Sequence, residues 1–153
     1  MTPVILSLIG MKQMKDKFFP DSNILLYLIR EFQDKKEIAI TLLEKSPVIS
    51  IQVINENINV CHKKFKLPDD TMKTHIEVLF ERCHVSQIHK ETIEDAISVM
   101  VKYKFSYYDS LIIASALETK CKVLYSEDMQ HKQNIEIAGK NGIRKLTFIN
   151  PFL

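Results

Sequence analysis

The sequence predicts an α/β fold, a three-layer α/β/α sandwich around a mostly parallel central sheet. Short apolar runs of the kind that form buried strands alternate with longer stretches in which apolar residues recur at helical spacing. Strands separated by helices in this way pair in parallel, and the helices cover both faces of the sheet. The length of 153 residues and the 46% apolar content suit a single globular domain.

The predicted elements follow from these patterns in chain order. Strands are predicted at residues 18–20, 48–50, 84–87, 123–125 and 146–149. Helices are predicted at residues 23–30, 35–44, 52–65, 71–82, 90–104 and 110–118. Asp34 is expected to cap the second helix. The fifth helix is expected to carry one apolar stripe, formed by Ile93, Ala96, Ile97 and Met100. Residues 134–144, which contain two glycines, are expected to be a loop-rich return.

Composition and charge leave several classes of function open. Lys and Arg total 21 against 19 acidic residues, so the net charge of +2 neither demands nor excludes a nucleic-acid partner. The three cysteines form no disulfide framework, which argues for a reducing compartment, so a cytoplasmic protein is expected. Residues 1–16 are interpreted as an N-terminal extension, with Met11 and Met14 as alternative starts, and residues 17–153 as the single domain. The apolar stretch at residues 4–9 is too short for a signal peptide or a membrane span, so no membrane association is expected.

Four acidic residues occupy similar positions relative to the predicted strands. Asp21 and Asp128 directly follow strands, Glu56 lies in the first turns of the helix after the second strand, and Asp109 is expected to begin a helix. Each one alone is explained as a helix cap or a solvated surface residue. Together they predict a site, because the carboxyl ends of parallel strands meet at one edge of the sheet. Crowded carboxylates repel one another unless a cation neutralises them, and oxygen ligands suit Mg²⁺ or Mn²⁺.

Five segments carry a resemblance to a known family. They are residues 21–25, 52–56, 108–116, 124–129 and 149–152. With these segments in this order, the chain resembles the PIN-domain ribonucleases, and among them the VapC-like toxins of type II toxin–antitoxin systems, from about Phe18 to Phe152. The resemblance implies that the four acids build a metal site, with Asn23 and Ser126 as polar support. Glu127 competes with Asp128 for the fourth position. Asp128 is preferred because the family's acid lies two residues beyond the small hydroxyl residue.

The resemblance also implies an activity and partners. The expected function is a divalent-metal-dependent endoribonuclease, with an RNA substrate, a cognate antitoxin protein and a homodimeric assembly. Asp21 and Asp109 would hold an ion that activates a water, and Glu56 and Asp128 would complete its surroundings or take the proton. RNA is anionic, so cations around the rim are needed for binding. The candidates are Lys63, Lys64, Lys66, Lys102, Lys104, Lys132 and Arg144.

Other chemistries are weaker predictions. An aspartyl-phosphate mechanism usually needs an acid two residues after the nucleophile, where this sequence has Asn23. The pairs Cys61-His62 and Cys83-His84 lack the spaced pattern of zinc ligands, and buried cysteines beside surface histidines are expected instead. Cys121 has no partner at motif spacing that would make it a nucleophile. A PIN-like RNA-binding or protein-interaction module without hydrolysis remains the alternative function.

Overall fold

Six strands and six helices alternate along the part of the chain that this computed structural model describes, residues 16–139 and 141–153. The strands are β1 (Phe18–Pro20), β2 (Val48–Ser50), β3 (His84–Ser86), β4 (Val123–Tyr125), β5 (Asn134–Gly139) and β6 (Gly142–Ile149). The helices are α1 (Ser22–Leu26), α2 (Gln33–Leu43), α3 (Ile51–Asn59), α4 (Asp69–Arg82), α5 (Lys90–Tyr103) and α6 (Tyr107–Glu118). A 3₁₀ turn (Tyr27–Ile29) continues α1, and a π turn (Val60–Lys64) continues α3.

The central sheet has the strand order β1-β4-β6-β5. β1, β4 and β6 run parallel, with Pro20 beside Tyr125 and Tyr125 beside Ile149, and β5 pairs antiparallel with β6. β2 and β3 form a separate parallel pair, and β2 lies next to β1. The residues that leave β1 and β4 therefore emerge in the same direction.

The two faces of the sheet pack into different apolar clusters, because successive strand side chains point to opposite sides. Phe18 and Tyr125 pack with Leu42 of α2 on one face. Phe19 and Leu124 pack on the other face, in a cluster that also holds residues of α3, α4 and α6. Helices thus cover both faces, and the prediction of an α/β sandwich with a mostly parallel sheet is confirmed.

The prediction of a loop at residues 134–144 was wrong. This segment is most of a β-hairpin, with β5 and β6 paired from Asn134 with Thr147 to Gly139 with Gly142. Ile135 and Ile137 are buried while their neighbours along β5 are exposed. That alternation is the strand signal. The glycines belong to the turn, where Gly142 has a φ of +114° that favours glycine over other residues.

Two helix starts differ from the predictions. Phe32, not Asp34, is the residue before α2, and Asp34 lies in the first helical turn. The helix α6 begins at Tyr107, so Asp109 does not open it. Ser106 caps this helix, because its hydroxyl oxygen accepts a hydrogen bond of 3.2 Å from the backbone N–H of Asp109.

The stripe predicted on α5 was also wrong in part. Ala96 is buried, but Ile93 and Ile97 are 39% and 47% exposed. The buried face of α5 is formed instead by Thr92, Ala96 and Val99, and Ala96 packs against α6. The small side chains of this face allow the two helices to approach closely, which turns the isoleucines outward.

The three cysteines are free and buried, as predicted, and His62 and His84 are exposed. In the described ranges, none of the helices combines the length and the apolar character that a membrane span requires. The N-terminal extension, except Asp16, lies outside the described residues.

Candidate active site

Asp21 lies between β1 and α1 and is 6% exposed. Its backbone N–H donates to the carbonyl of Tyr125 at 2.8 Å, which fixes it to the end of β4. One carboxylate oxygen accepts from the N–H of Ser22 at 2.7 Å, so Asp21 also caps α1. The other oxygen accepts from the hydroxyl of Ser126 at 2.9 Å. Asp21 is therefore a buried carboxylate held in one orientation.

Ser126 joins Asp21 to the turn after β4. Its hydroxyl donates to Asp21 and accepts from the backbone N–H groups of Asp128 and Met129, at 3.2 and 3.3 Å. Asn23 supports the same turn, because its amide nitrogen donates to the carboxylate of Asp128 at 2.8 Å. The two polar residues predicted as support thus connect Asp21 with Asp128.

Glu127 and Asp128 point to different surroundings. Glu127 forms an ion pair of 2.8 Å with Lys35 and interacts with the hydroxyl of Tyr27. Burial acts to raise the pKa of Glu127, but these contacts, of which the one with Lys35 is the strongest, lower it overall. Asp128 is exposed, and its charge acts on Asp21. Glu127 thus belongs to an ion pair, whereas Asp128 interacts with Asp21, and the preference for Asp128 as the fourth acid stays a prediction.

Glu56 and Asp109 complete the acidic group from two other helices. Glu56 is half-buried on α3, where Gln52 donates to it at 3.5 Å. Asp109 is exposed in the first turn of α6, where the helix dipole favours a negative charge. The charges of Asp109 and Asp128 act on Asp21, and the charges of Asp21 and Asp109 act on Glu56. All four predicted acids thus share one electrostatic environment, with Asp21 at its centre.

Two of these acids bind protons more tightly than usual. Burial, aided by the charges of Asp109 and Asp128, raises the pKa of Asp21 from 3.8 to about 6. Burial, aided by the charge of Asp21, raises the pKa of Glu56 to about 7. The hydrogen bonds from Ser126 and Ser22 to Asp21 oppose the rise without cancelling it. The site therefore holds negative charge that the protein does not compensate.

The donor set fits a hard divalent cation with an incomplete protein shell. Within residues 16–139 and 141–153, no three His, Cys, Asp or Glu side chains are arranged as a group that could hold a metal ion. Mg²⁺, however, keeps several waters and needs only one or two carboxylates. Asp21 makes two hydrogen bonds and retains further lone pairs for such an ion.

The sequence patterns did not identify several residues around the site. Asn57 follows Glu56 and is buried, and its Oδ1 lies 2.8 Å from Nε2 of the buried His75 on α4. The amide nitrogen of Asn57 also contacts the carbonyl of Ser22 at 3.5 Å. These residues are far apart in sequence, so no local motif connects them. Arg30 was also missed, because one of the three rings around it, Phe65, is distant in sequence.

Of the seven predicted rim cations, Lys104 and Lys132 are exposed, and the other five fall into two groups. Arg144 is paired with Asp95 at 2.9 Å, and Lys102 donates to the carbonyl of Glu136. Both are thereby engaged on the side of α5 and β5. Lys63, Lys64 and Lys66, by contrast, are exposed around the end of α3.

The comparisons with known proteins agree with this architecture. The family model described as PIN domain matches residues 18–135. No curated protein matches the chain significantly. Similar solved structures include a toxin–antitoxin complex from Klebsiella pneumoniae, with 22% identity, a TM-score of 0.56, and coverage of 73% of this chain and 86% of that one.

Two further structures show the same fold at low identity. VapC20 of Mycobacterium tuberculosis, described as a sarcin-ricin loop cleaving toxin, is 15% identical with a TM-score of 0.60, over 73% of this chain and 90% of that one. VapBC2 of Rickettsia felis, bound to a DNA fragment from its promoter, is 17% identical with a TM-score of 0.57, over 74% of this chain and 88% of that one. The fold and a family match over most of the described residues lead to one conclusion. The chain belongs to the PIN domain family.

Proposed function

We propose that the protein is a divalent-metal-dependent endoribonuclease and the toxin of a toxin–antitoxin pair. The observation that carries the proposal is the buried Asp21, whose charge interacts with those of Glu56, Asp109 and Asp128, in a chain of the PIN domain family. The names of the similar structures support the toxin assignment, since they include a toxin–antitoxin complex and a sarcin-ricin loop cleaving toxin.

The proposed roles follow from burial and charge. Asp21 and Asp109 hold Mg²⁺ or Mn²⁺. Asp128, whose carboxylate accepts a hydrogen bond from Asn23, adds its negative charge to the site. When bound, the cation supplies a water of lowered pKa and stabilises the negative charge that develops on the phosphate. Glu56 is suited to accept the proton of the attacking water at a carboxylate oxygen, because its pKa of about 7 lies near neutral pH.

Cleavage of total cellular RNA with Mg²⁺ or Mn²⁺ tests this proposal. The wild-type protein should give discrete fragments that disappear with a chelator. Asp21→Asn and Asp109→Asn should abolish cleavage, whereas Glu127→Gln should retain most of it, because Glu127 is engaged by Lys35. Glu127→Gln is a matched control, since it removes the charge of a carboxylate next to the site.

Two outcomes would contradict the roles. Cleavage that survives both aspartate substitutions would refute the site assignment. RNA binding by the wild-type protein without any hydrolysis in either metal would favour the alternative, a PIN-like binding module.

The toxin assignment has its own test. Expression of the wild-type protein in a bacterial host should arrest growth, and Asp21→Asn should not. Co-expression of a small DNA-binding protein encoded by a neighbouring gene should restore growth. Growth arrest by both forms would argue against a toxin that acts through this site.

We propose a homodimer as the assembly, supported by apolar side chains on the outer face of α5. Ile93, Ile97 and Val101, spaced four residues apart, are 39%, 47% and 60% exposed. Ile97→Glu should reduce the molar mass measured by light scattering from two chains to one. An unchanged mass would exclude this face as the interface.

A further inference from the structure

Arg30 lies at the end of the 3₁₀ turn after α1, and three aromatic rings surround its guanidinium group. The guanidinium carbon lies 4.9 Å from the ring centre of Tyr27, 4.7 Å from that of Phe32 and 5.4 Å from that of Phe65. All three distances are within the range of a cation–π contact. Phe65 comes from the far end of α3, so the tertiary structure assembles this arrangement, here called the Arg30 patch.

The stacked guanidinium retains its hydrogen-bonding capacity. Cation–π contacts use the face of the group, while the five N–H donors point outward in its plane. None of the ion pairs in the described part of the chain involves Arg30. Its side chain also takes part in none of the hydrogen bonds there, in contrast to Arg144, which is paired with Asp95. A fixed guanidinium with unused donors is suited to bind a phosphate with two parallel hydrogen bonds.

The Arg30 patch lies close to the acidic group. The helix α1 and its 3₁₀ turn place Arg30 about 13 Å along the helix axis from Asp21. The charge of Arg30 acts on Glu127, the residue before Asp128. Lys35 and Glu127 form an ion pair of 2.8 Å, whereas Arg30 has no ion-pair partner among the described residues.

An exposed aromatic ring contacts the guanidinium, and exposed lysines flank a second ring in the sequence. Phe32 is 50% exposed, although its ring also contacts Arg30 and Tyr27. Phe65 lies between the exposed residues Lys64 and Lys66. Cations that follow the backbone together with aromatic rings that stack on bases are the combination used to bind single-stranded nucleic acid. An acidic peptide would use the charges but would have no need of the exposed ring.

We propose that the Arg30 patch is an RNA-binding subsite, in which Arg30 binds a backbone phosphate and Phe32 stacks on a base. This inference rests on the proposed function for its ligand, a single-stranded RNA whose cleaved bond lies at the acidic group. A separation of about 13 Å corresponds to roughly four nucleotides at the rise of a stacked strand. The patch therefore contacts the RNA away from the cleaved bond and sets which part of the strand reaches the acids.

Binding in the presence of a chelator tests the patch without cleavage. The probe is a fluorescein-labelled oligouridine of about ten nucleotides, within the range of single-strand sites, and its anisotropy is measured at several salt concentrations. Phe32→Leu should raise Kd about fivefold or more, because stacking on the base is lost. Arg30→Gln should also raise Kd and should lower the slope of log K against log salt by about 0.7, the loss of one phosphate contact. Arg144→Gln is the matched control and should leave Kd unchanged.

The outcomes distinguish this inference from the proposed function. Circular dichroism first checks that Arg30→Gln and Phe32→Leu are folded. If both variants then leave Kd and the salt slope unchanged, the patch is overturned, even if the wild-type protein cleaves RNA. Loss of binding in these variants would support the patch even if no hydrolysis is observed. If Arg30→Gln weakens binding of a labelled oligoglutamate but not of the RNA, the site binds an acidic peptide and the inference is wrong.

Discussion

Replacing Asp21 with asparagine should stabilise the metal-free protein at pH 8. Asp21 is 6% exposed, and burial raises its pKa from 3.8 to about 6. A rise of this size means that the charged form costs about 3 kcal/mol in the folded state relative to the unfolded state. The amide loses part of the hydrogen bonding with Ser126, which costs about 1 kcal/mol. The net gain in the free energy of unfolding should therefore be about 2 kcal/mol.

The gain should depend on pH in a defined direction. The folded protein binds the Asp21 proton more tightly than the unfolded chain does. The protonated carboxyl therefore contributes stability that is complete below pH 3.8 and is lost as the pH rises through about 6. Between pH 8 and pH 5, the advantage of Asp21→Asn over the wild type should shrink by about 1.4 kcal/mol. Urea unfolding of both proteins in a chelator at the two pH values measures this change.

Two controls sharpen the experiment. Glu127→Gln, which also converts a carboxylate to an amide, should not stabilise the protein, because Lys35 compensates its charge. Addition of Mg²⁺ at pH 8 should stabilise the wild type more than Asp21→Asn, because a ligand that binds the folded state raises its stability. If Asp21→Asn is no more stable than the wild type at pH 8 and the difference does not vary with pH, then burial of the charged Asp21 carboxylate does not destabilise the folded protein.

Three further predictions follow from single contacts. Burial lowers the pKa of His75 to about 4, so its contribution to stability is complete above pH 6.5 and is lost as the pH falls. His75→Gln should remove about 2 kcal/mol of acid sensitivity between pH 6.5 and 4.5, and identical urea-unfolding profiles would refute this. Ser126→Ala should cost about 1–3 kcal/mol and raise the pKa of Asp21 further, as measured by NMR titration, because the carboxylate loses a donor. Glu127→Gln should cost about 0.5–1 kcal/mol at low salt through loss of the partly exposed ion pair with Lys35, and a cost that persists at high salt would contradict that cause.

The central strands were predictable because their signal is local. An apolar run such as that of β1 or β4, ended by a carboxylate, indicates both a buried strand and the position of the acid after it. Parallel pairing then brings such ends to one edge of the sheet whatever the details of packing. For this reason Asp21 and Asp128 could be assigned to one site from the sequence.

The errors arose where two local signals competed. Along β5, the alternation of Ile135 and Ile137 was outweighed by the glycines that follow, which belong to a turn rather than to a loop. On α5, apolar spacing alone could not tell which face is buried. The small residue Ala96 packs against α6, and this close approach leaves Ile97 outside.

The sequence by itself thus determined the α/β class, and it predicted a site of four carboxylates after the strands, which stays a prediction. Only the tertiary structure decided which charges are compensated: Glu127 by Lys35, Asp21 in part by Ser126, and Arg30 by aromatic rings instead of an acid. The physical reason is the separation in sequence of the residues that interact. Strand and helix patterns depend on neighbouring residues, whereas burial, ion pairing and the resulting pKa shifts depend on side chains that packing brings together from distant parts of the chain.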